Sequence, residues 1–351
     1  MIARTLRLPI LLAALVWPVL MAAAGLADDG PPLTRIAFGS CAHQEKPQPI
    51  WEAVLGYRPE LFIFAGDNVY GDVSSGAMTE LRAAYARAAA LEGHAKLRRT
   101  VPVLATWDDH DYGRNDGGAD FPHKAEAKRL FLEFWQVPED DPRRTRDGIH
   151  SATIVGPEGR RVQVILLDTR TFRSPLRRKP EQTPGTGPYL PDPDPAKTML
   201  GEAQWRWLGE QLARPAELRL VVSSVQVLAE SQEWERWGNL PLERDRLFDL
   251  IASTGAGGVV FLSGDRHAGA LYRRTDGVAY PLHEITSSGI NMLRPDQPEP
   301  GPHRLGELYG GENFGTIDID WQAGEVTLAL RSMSGEPVRE VAFPLADLTP
   351  D

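Results

Sequence analysis

A single cysteine, Cys41, stands in a chain of 351 residues, so no disulfide can form within it. A lone thiol needs burial or a ligand to stay protected, and Cys41 therefore calls for an explanation. Positive charge is also short. Thirty-eight Lys and Arg against 48 Asp and Glu leave a formal net charge of −10. Non-specific nucleic-acid binding leans on basic patches, so no specific nucleic-acid partner is expected. After Ala24 no run is apolar enough to span a bilayer. No internal repeat and no long linker-like stretch is evident. What remains is the composition of a soluble globular protein, 42% hydrophobic and 25% charged.

The one extended apolar run, Leu8–Ala24, follows Arg4 and Arg7 and precedes the small residues Gly25 and Ala27. This is the layout of a secretory signal peptide over residues 1–27. Pro9 and Pro18 interrupt the run and speak against an uncleaved anchor. The segment has no Arg-Arg pair for twin-arginine export and no cysteine for lipid attachment. The expectation is an exported protein, periplasmic or secreted, with no stable membrane span after cleavage. Loss of Arg4 and Arg7 would take the net charge to −12. Such a protein is an awkward host for an anion unless bound cations invert the local field.

Strand-like and helix-like runs alternate through most of the chain. Buried strands are expected at Thr34–Phe38, Leu61–Ala65, Val101–Ala105, Arg161–Leu167, Leu218–Ser223 and Gly258–Leu262. Helical patterns fall at Gln48–Gly56, Met78–Leu91, His123–Phe134, Thr198–Leu212 and Pro241–Ala252, with Thr198 placed to cap and Pro241 in a first turn. This alternation predicts an α/β core with helices over buried sheet. Four tail strands, Ala279–Ser287, Gly315–Asp320, Glu325–Arg331 and Val338–Phe343, are expected to extend a second sheet. The Pro/Gly-rich segments Arg177–Pro195 and Arg294–Gly311 read as long surface loops.

The chemistry gathers after the strands. Asp108, Asp109, Asp111 and Asp116 fall within nine residues, around His110. Crowded carboxylates repel unless protonated or bridged by a cation. Cys41 and His43 follow the first strand, Asp67, Asn68 and Tyr70 the second, and Asp265, Arg266 and His267 the sixth. Ligands collect at strand carboxyl ends in α/β sheets, so these loops should converge. Carboxylates suit hard cations, whereas thiolate, imidazole and phenolate suit a transition metal, which points to two unlike metals. Each residue also has a plainer reading: an acidic solvated loop, a buried thiol, a Gly-Asp turn. Asp168 and Arg170 are expected to form a buried ion pair bracing the crevice, and Trp205 and Trp207 to sit in the core. Glu235, Trp237 and Asn239 lie beyond a strand end, in position to line the pocket. His94, His123, His150, His283 and His303 are expected to be structural or solvated.

The ordered motifs Phe38-Gly39-Ser40-Cys41, Gly66-Asp67-Asn68-Val69-Tyr70, Trp107-Asp108-Asp109-His110-Asp111, Leu167-Asp168-Thr169-Arg170, Gln204–Leu208 and Gly264-Asp265-Arg266-His267 resemble those of one family. It is the PhoD-like (alkaline phosphatase D) branch of the calcineurin-like metallophosphoesterases. The resemblance runs from about residue 34 to 290. It implies a four-layer αββα sandwich, two packed mixed sheets flanked by helices, with residues 28–351 as one catalytic domain. It implies Cys41, Asp67, Tyr70 and His267 as ligands of ferric iron (Fe3+). Asp67 would bridge to a second site, completed by Asp109 and Asp265 and filled by calcium (Ca2+). Asp108 and Asn115 are further ligand candidates, and His110 is implied to donate a proton to the leaving alcohol. Gln226 stands where relatives place a metal-binding histidine, a departure that leaves one coordination position open.

The expected reaction is hydrolysis of a phosphate monoester or diester by hydroxide formed on the metal pair, with Asn68 and Arg266 as phosphate contacts. A phosphodiesterase or phospholipase acting on the cell envelope is the rival enzyme. A metal- or phosphate-binding protein without turnover is the rival from another class, and His110 argues against it.

Overall fold

The computed structural model describes residues 30–294, 299 and 301–350. The expected signal peptide lies outside the described residues. In chain order the first half comprises β1 (Arg35–Gly39), α1 (Ile50–Tyr57), β2 (Leu61–Ala65), α2 (Thr79–Ala90), α3 (Glu92–Thr100), β3 (Val103–Thr106), α4 (Asp109–Tyr112), α5 (Lys124–Phe134), β4 (Ser151–Val155) and β5 (Val162–Leu166). A two-residue hairpin follows, β6 (Arg177–Arg178) and β7 (Tyr189–Leu190), then α6 (Gly201–Leu212), β8 (Leu218–Ser223), α7 (Pro241–Thr254) and β9 (Val259–Ser263). The last strands are β10 (Gly269–Arg274), β11 (Leu282–Ser287), β12 (Arg304–Tyr309), β13 (Asn313–Asp320), β14 (Glu325–Ser332) and β15 (Pro337–Pro344).

Side chains of a strand alternate between faces, and β1 and β2 use both faces for packing. Ile36, Phe38, Leu61 and Ile63 point to one side and join a core shared with Val164, Leu220, Val222 and Phe261. Ala37, Phe62 and Phe64 point to the other and pack on Trp51, Leu81, Leu97 and Phe131 from α1, α2, α3 and α5. The first sheet, ordered β15-β14-β13-β1-β2-β3, therefore lies between helices and a second sheet, ordered β12-β10-β11-β9-β8-β5-β4. Helices α6 and α7 bring Trp205, Leu208, Leu247 and Ile251 to that second sheet, completing the expected four layers. Among the described residues no helix is long and apolar enough to cross a membrane.

Both sheets are mixed. In the first, β1, β2 and β3 run parallel while β13–β15 add antiparallel strands beside β1. In the second, β5, β8, β9 and β11 run parallel. Of the tail strands, only β11 extends the second sheet; β13–β15 extend the first, which corrects the expectation that all four share the second. Pairing partners in a sheet are chosen by long-range packing, and the alternation of one strand does not specify them. The segment expected as a loop over Arg294–Gly311 contains β12, and that over Arg177–Pro195 contains the small hairpin. Thr198 lies one turn before α6, whose N-cap is Leu200; its Oγ1 accepts from Gly201 N at 2.8 Å.

Direct hydrogen bonds join the carboxyl ends of the two sheets. Ser40 Oγ, after β1, donates to Ser287 O of β11 at 3.1 Å. Thr106 Oγ1, ending β3, donates to Leu167 O after β5 at 2.7 Å. The loops that carry the chemistry are thereby held over one crevice.

Candidate metal centre and active site

The backbone at this crevice is bent sharply. Cys41, Asp67, Asp265 and His267 all have positive φ, between 49° and 67°. Such conformations cost roughly 1–3 kcal/mol in a non-glycine residue and persist only where the surroundings fix them. Gly66, at φ 102°, precedes Asp67 and lies against the β3 loop: a Cβ there would fall 2.6 Å from Asp108 Cβ. Only glycine fits, and it lets the second and third loops touch.

Four overlapping groups of ligand-type atoms result, each group within 4.8 Å: Cys41, Asp67 and His267; Asp67, Asp109 and His110; Asp108, Asp109 and Asp265; Asp109, Asp116 and Glu235. Cys41 Sγ lies 3.6 Å from Asp67 Oδ2. Tyr70 joins the first group, its hydroxyl 3.1 Å from Asp67 Oδ2 and 3.0 Å from His267 Nε2. His110 Nδ1 lies 2.6 Å from Asp72 Oδ2, and its ring sits 4.3 Å from that of Tyr70.

The electrostatics of the protein atoms alone are unfavourable. Burial, reinforced by Asp109, holds the Asp67 carboxyl well above the usual carboxylate range. Burial and then Asp108 and Asp109 do the same to Asp265. Burial, with Asp67, raises the Cys41 thiol. Burial opposes a charge on His110 too, but Asp109, Asp67 and Asp72 outweigh it and push the imidazole up to about 11. His267 is instead pushed down to about 3 by burial and then Arg294, leaving it neutral, the form that ligates.

These residues fit cations. Asp108 Oδ2, Asp109 Oδ1 and Asn68 Oδ1 are buried oxygens with no hydrogen-bond partner, an arrangement that costs about 1–3 kcal/mol per group unless something else satisfies it. The donors divide by chemistry: thiol, phenol and imidazole around Asp67 on one side, carboxylates on the other.

The model of the PhoD-like phosphatase family matches residues 36–300, most of the chain. The chain belongs to that family. Alkaline phosphatase D of Bacillus subtilis (strain 168) is 25% identical over 190 residues, which cover 48% of this chain and 31% of that protein. The chain thus aligns with about a third of that curated relative. Among solved structures it resembles PhoD, with a TM-score of 0.69 and 17% identity over 91% of this chain and 70% of that one. A purple acid phosphatase from yellow lupin (Lupinus luteus) seeds superimposes with a TM-score of 0.58 and 10% identity, over 89% and 54% of the chains. GAP50, the anchor in the inner membrane complex of Plasmodium, does so at 0.58 and 14%, over 91% and 90%. These likenesses establish a metallophosphoesterase-like fold.

Cys41, Asp67, Tyr70, Asp109, His110, Asp265 and His267 are brought together as the sequence motifs suggested. Asn68 and Arg266 are placed differently from expectation. The Asn68 amide donates to Thr106 O at 2.8 Å and to Asp111, so the atom left unpartnered is an acceptor, suited to a cation more than to phosphate. Arg266 is buried, with Nε donating to Glu299 at 2.8 Å. The expected Asp168–Arg170 ion pair is absent. Asp168 accepts from Trp107 Nε1 and from Ile149 and Thr171 N. The Arg170 guanidinium pairs with Asp108 and Glu235.

Asn115 is exposed, and Asp116 takes the place beside Asp109. His43 is outside the clusters and stacks on Tyr70, with ring centroids 4.7 Å apart. Gln226 donates to Tyr272 and Thr286 hydroxyls behind the site. Trp237 and Asn239 are buried, with Trp237 Nε1 bonded to Ser223. Glu235 does join the crevice, and Asp72 is a partner the motifs did not signal, since its only mark in the sequence is proximity to Tyr70.

Proposed function

We propose that the chain is an exported, metal-dependent phosphoric ester hydrolase acting on phosphomonoesters or phosphodiesters. Family membership supports a phosphatase. The observation that carries the reading further is His110, an imidazole grouped with Asp67 and Asp109 and held through Nδ1 by Asp72 at 2.6 Å. Metal storage or phosphate capture has no use for a proton donor at that position. The layout of residues 1–27 supports export.

In this reading Cys41, Asp67, Tyr70 and His267 would hold ferric iron, and Asp67, Asp109 and Asp265 would hold calcium. Asp108, with one unpartnered oxygen, is a further ligand. Once bound, the cations would supply polarisation of the phosphoryl oxygens and a lowered pKa for the attacking water. The protein does the rest. Asp72 fixes Nδ1 of His110, leaving Nε2 as the nitrogen to pass a proton to the departing alkoxide. Tyr70 packs against the His110 ring and limits its rotation. Arg170 compensates the buried charge of Asp108 and Glu235 without entering the cluster.

The test is turnover of a chromogenic phosphoester before chelation, after it, and after metals are restored. The reading predicts loss and recovery. Turnover unaffected by complete metal removal, or none under any metal condition, contradicts it.

A further inference from the structure

Cations stand at the rim of the acidic crevice, on loops that hold one another. In the hairpin arm, Tyr189 N donates to Glu233 O at 3.1 Å, and Lys179 Nζ lies 2.5 Å from Glu233 Oε2. Gly187 sits so close to the same loop that a Cβ would fall 2.0 Å from the Glu233 carbonyl carbon. Tyr189 then reaches the crevice: its hydroxyl donates to Asp116 Oδ2 at 2.5 Å. Arg178 lies over the Tyr189 ring at 5.2 Å, with its side chain 65% exposed. Arg294 lies over Trp234 of the Glu233 loop at 4.9 Å, next in sequence to Glu235 of the cluster. Its backbone N donates to His267 O at 2.9 Å, which ties it to the opposite end of the site.

Neither guanidinium is committed to holding the fold. Arg178 has a hydrogen bond to Tyr189 Oη at 3.2 Å and an ion pair to Asp116 at 3.9 Å, whose Oδ2 already accepts from Tyr189. An exposed pair at that distance is worth little. Arg294 is exposed, and its guanidinium makes no ion pair among the described residues. Both planes are nevertheless set by an aromatic ring beneath, which reduces the ordering cost when an anion arrives. A planar guanidinium fork matches a carboxylate or phosphate. On a chain of net charge −10, both forks stand over rings tied to the 233–235 loop, which carries Glu235 of the carboxylate cluster.

We propose that Arg178 and Arg294 form a rim site for a second anionic group of the substrate, borne away from the ester bond that is cleaved. The proposal rests on the phosphoric-ester reading and names its substrate class: esters that carry a further carboxylate or phosphate.

Calorimetry on the metal-loaded protein tests it, with benzylphosphonate and its three ring-carboxylated isomers, which set the second anion at different reaches. At least one isomer should bind roughly three- to tenfold more tightly than the parent at low salt, as expected for added charge-assisted hydrogen bonds. In the Arg178→Gln/Arg294→Gln variant that ratio should fall towards one. In about 1 M salt, where the screening length is about 3 Å, it should shrink in the wild type also. If no isomer outbinds benzylphosphonate, or if the preference survives the double substitution, the rim site is wrong. If benzylphosphonate and all its isomers fail to bind, the phosphoric-ester reading falls with it.

Discussion

Arg170, which has no exposed surface, donates Nε to Asp108 Oδ1 at 2.7 Å. Its Nη2 and Ser224 Oγ bond the same oxygen, so Asp108 Oδ2 is left buried and unpartnered beside Asp109 and Asp265. A single arginine thus aims one oxygen of the cluster and balances its charge.

Removing that arginine should be costly. Arg170→Leu leaves Asp108 buried without its cation and Glu235 with Arg173 alone, and breaking a buried pair in this way typically destabilises by about 3–5 kcal/mol. Arg170→Lys keeps the charge and loses the fork, so it should fall between. Denaturant midpoints of the three metal-free proteins check this. A leucine variant as stable as the parent would show the ion pairs to be incidental.

The central strands and the motif loops were legible because buried parallel strands are short apolar runs with chemistry at their carboxyl ends. Cys41, Asp67, Asp109 and His267 could be read one loop at a time. Arg170 could not: its partners Asp108 and Glu235 lie 62 and 65 residues away, whereas Asp168 is two positions distant and a tempting mate. Strand β12 was hidden inside a Pro/Gly-rich stretch because it is an edge strand with little apolar alternation and no fully buried residue. The assignment of β13–β15 to the first sheet depends on Arg35 pairing with Asp318 across the chain, a contact that no local pattern encodes.

His94 gives a pH signature remote from the candidate metal centre. It is buried against Phe64, Trp51 and Phe134, with ring centroids 5.4, 5.9 and 6.1 Å away. Burial, then Arg98, push it down to about 3. The native state therefore holds it neutral, while the unfolded chain takes up a proton near pH 6.5. Stability from this group is full above that pH and is lost as pH falls towards about 3. Replacing it, His94→Leu, removes the term, so the variant should gain on the parent by about 2 kcal/mol between pH 7 and 5. Urea midpoints at the two pH values measure it; parallel changes in the two proteins would refute it.

His110→Ala should retain its metals and slow turnover by roughly 10²–10⁴-fold for an ester with a poor leaving group. With a nitrophenolate leaving group, which needs no proton, the loss should be smaller. Rate comparison across a leaving-group series checks the role, and equal losses throughout would reduce His110 to a binding residue.

Ferric iron held by Tyr70 and Cys41 would absorb visible light through ligand-to-metal charge transfer, so the metal-loaded protein should be coloured. Tyr70→Phe should shift or abolish the band, because the oxygen placed 3.0 Å from His267 Nε2 is gone. Cys41 should resist alkylation until the metal is removed, then react, since coordination keeps it a thiolate with its lone pairs engaged. A colourless protein whose Cys41 is alkylated with metals in place would assign that side of the site to a different cation.

Asp67 belongs to two of the ligand-type groups at once, so in the proposed function it would serve both cations. The direct measurement is activity as a function of metal bound per chain, by elemental analysis of samples reloaded stepwise from the stripped protein. Turnover should stay near zero at substoichiometric loading and rise only as a second ion binds, and Asp67→Asn should bind fewer ions and never reach that rise. Full activity with one ion per chain, or an Asp67→Asn variant with parental loading and rate, would contradict it.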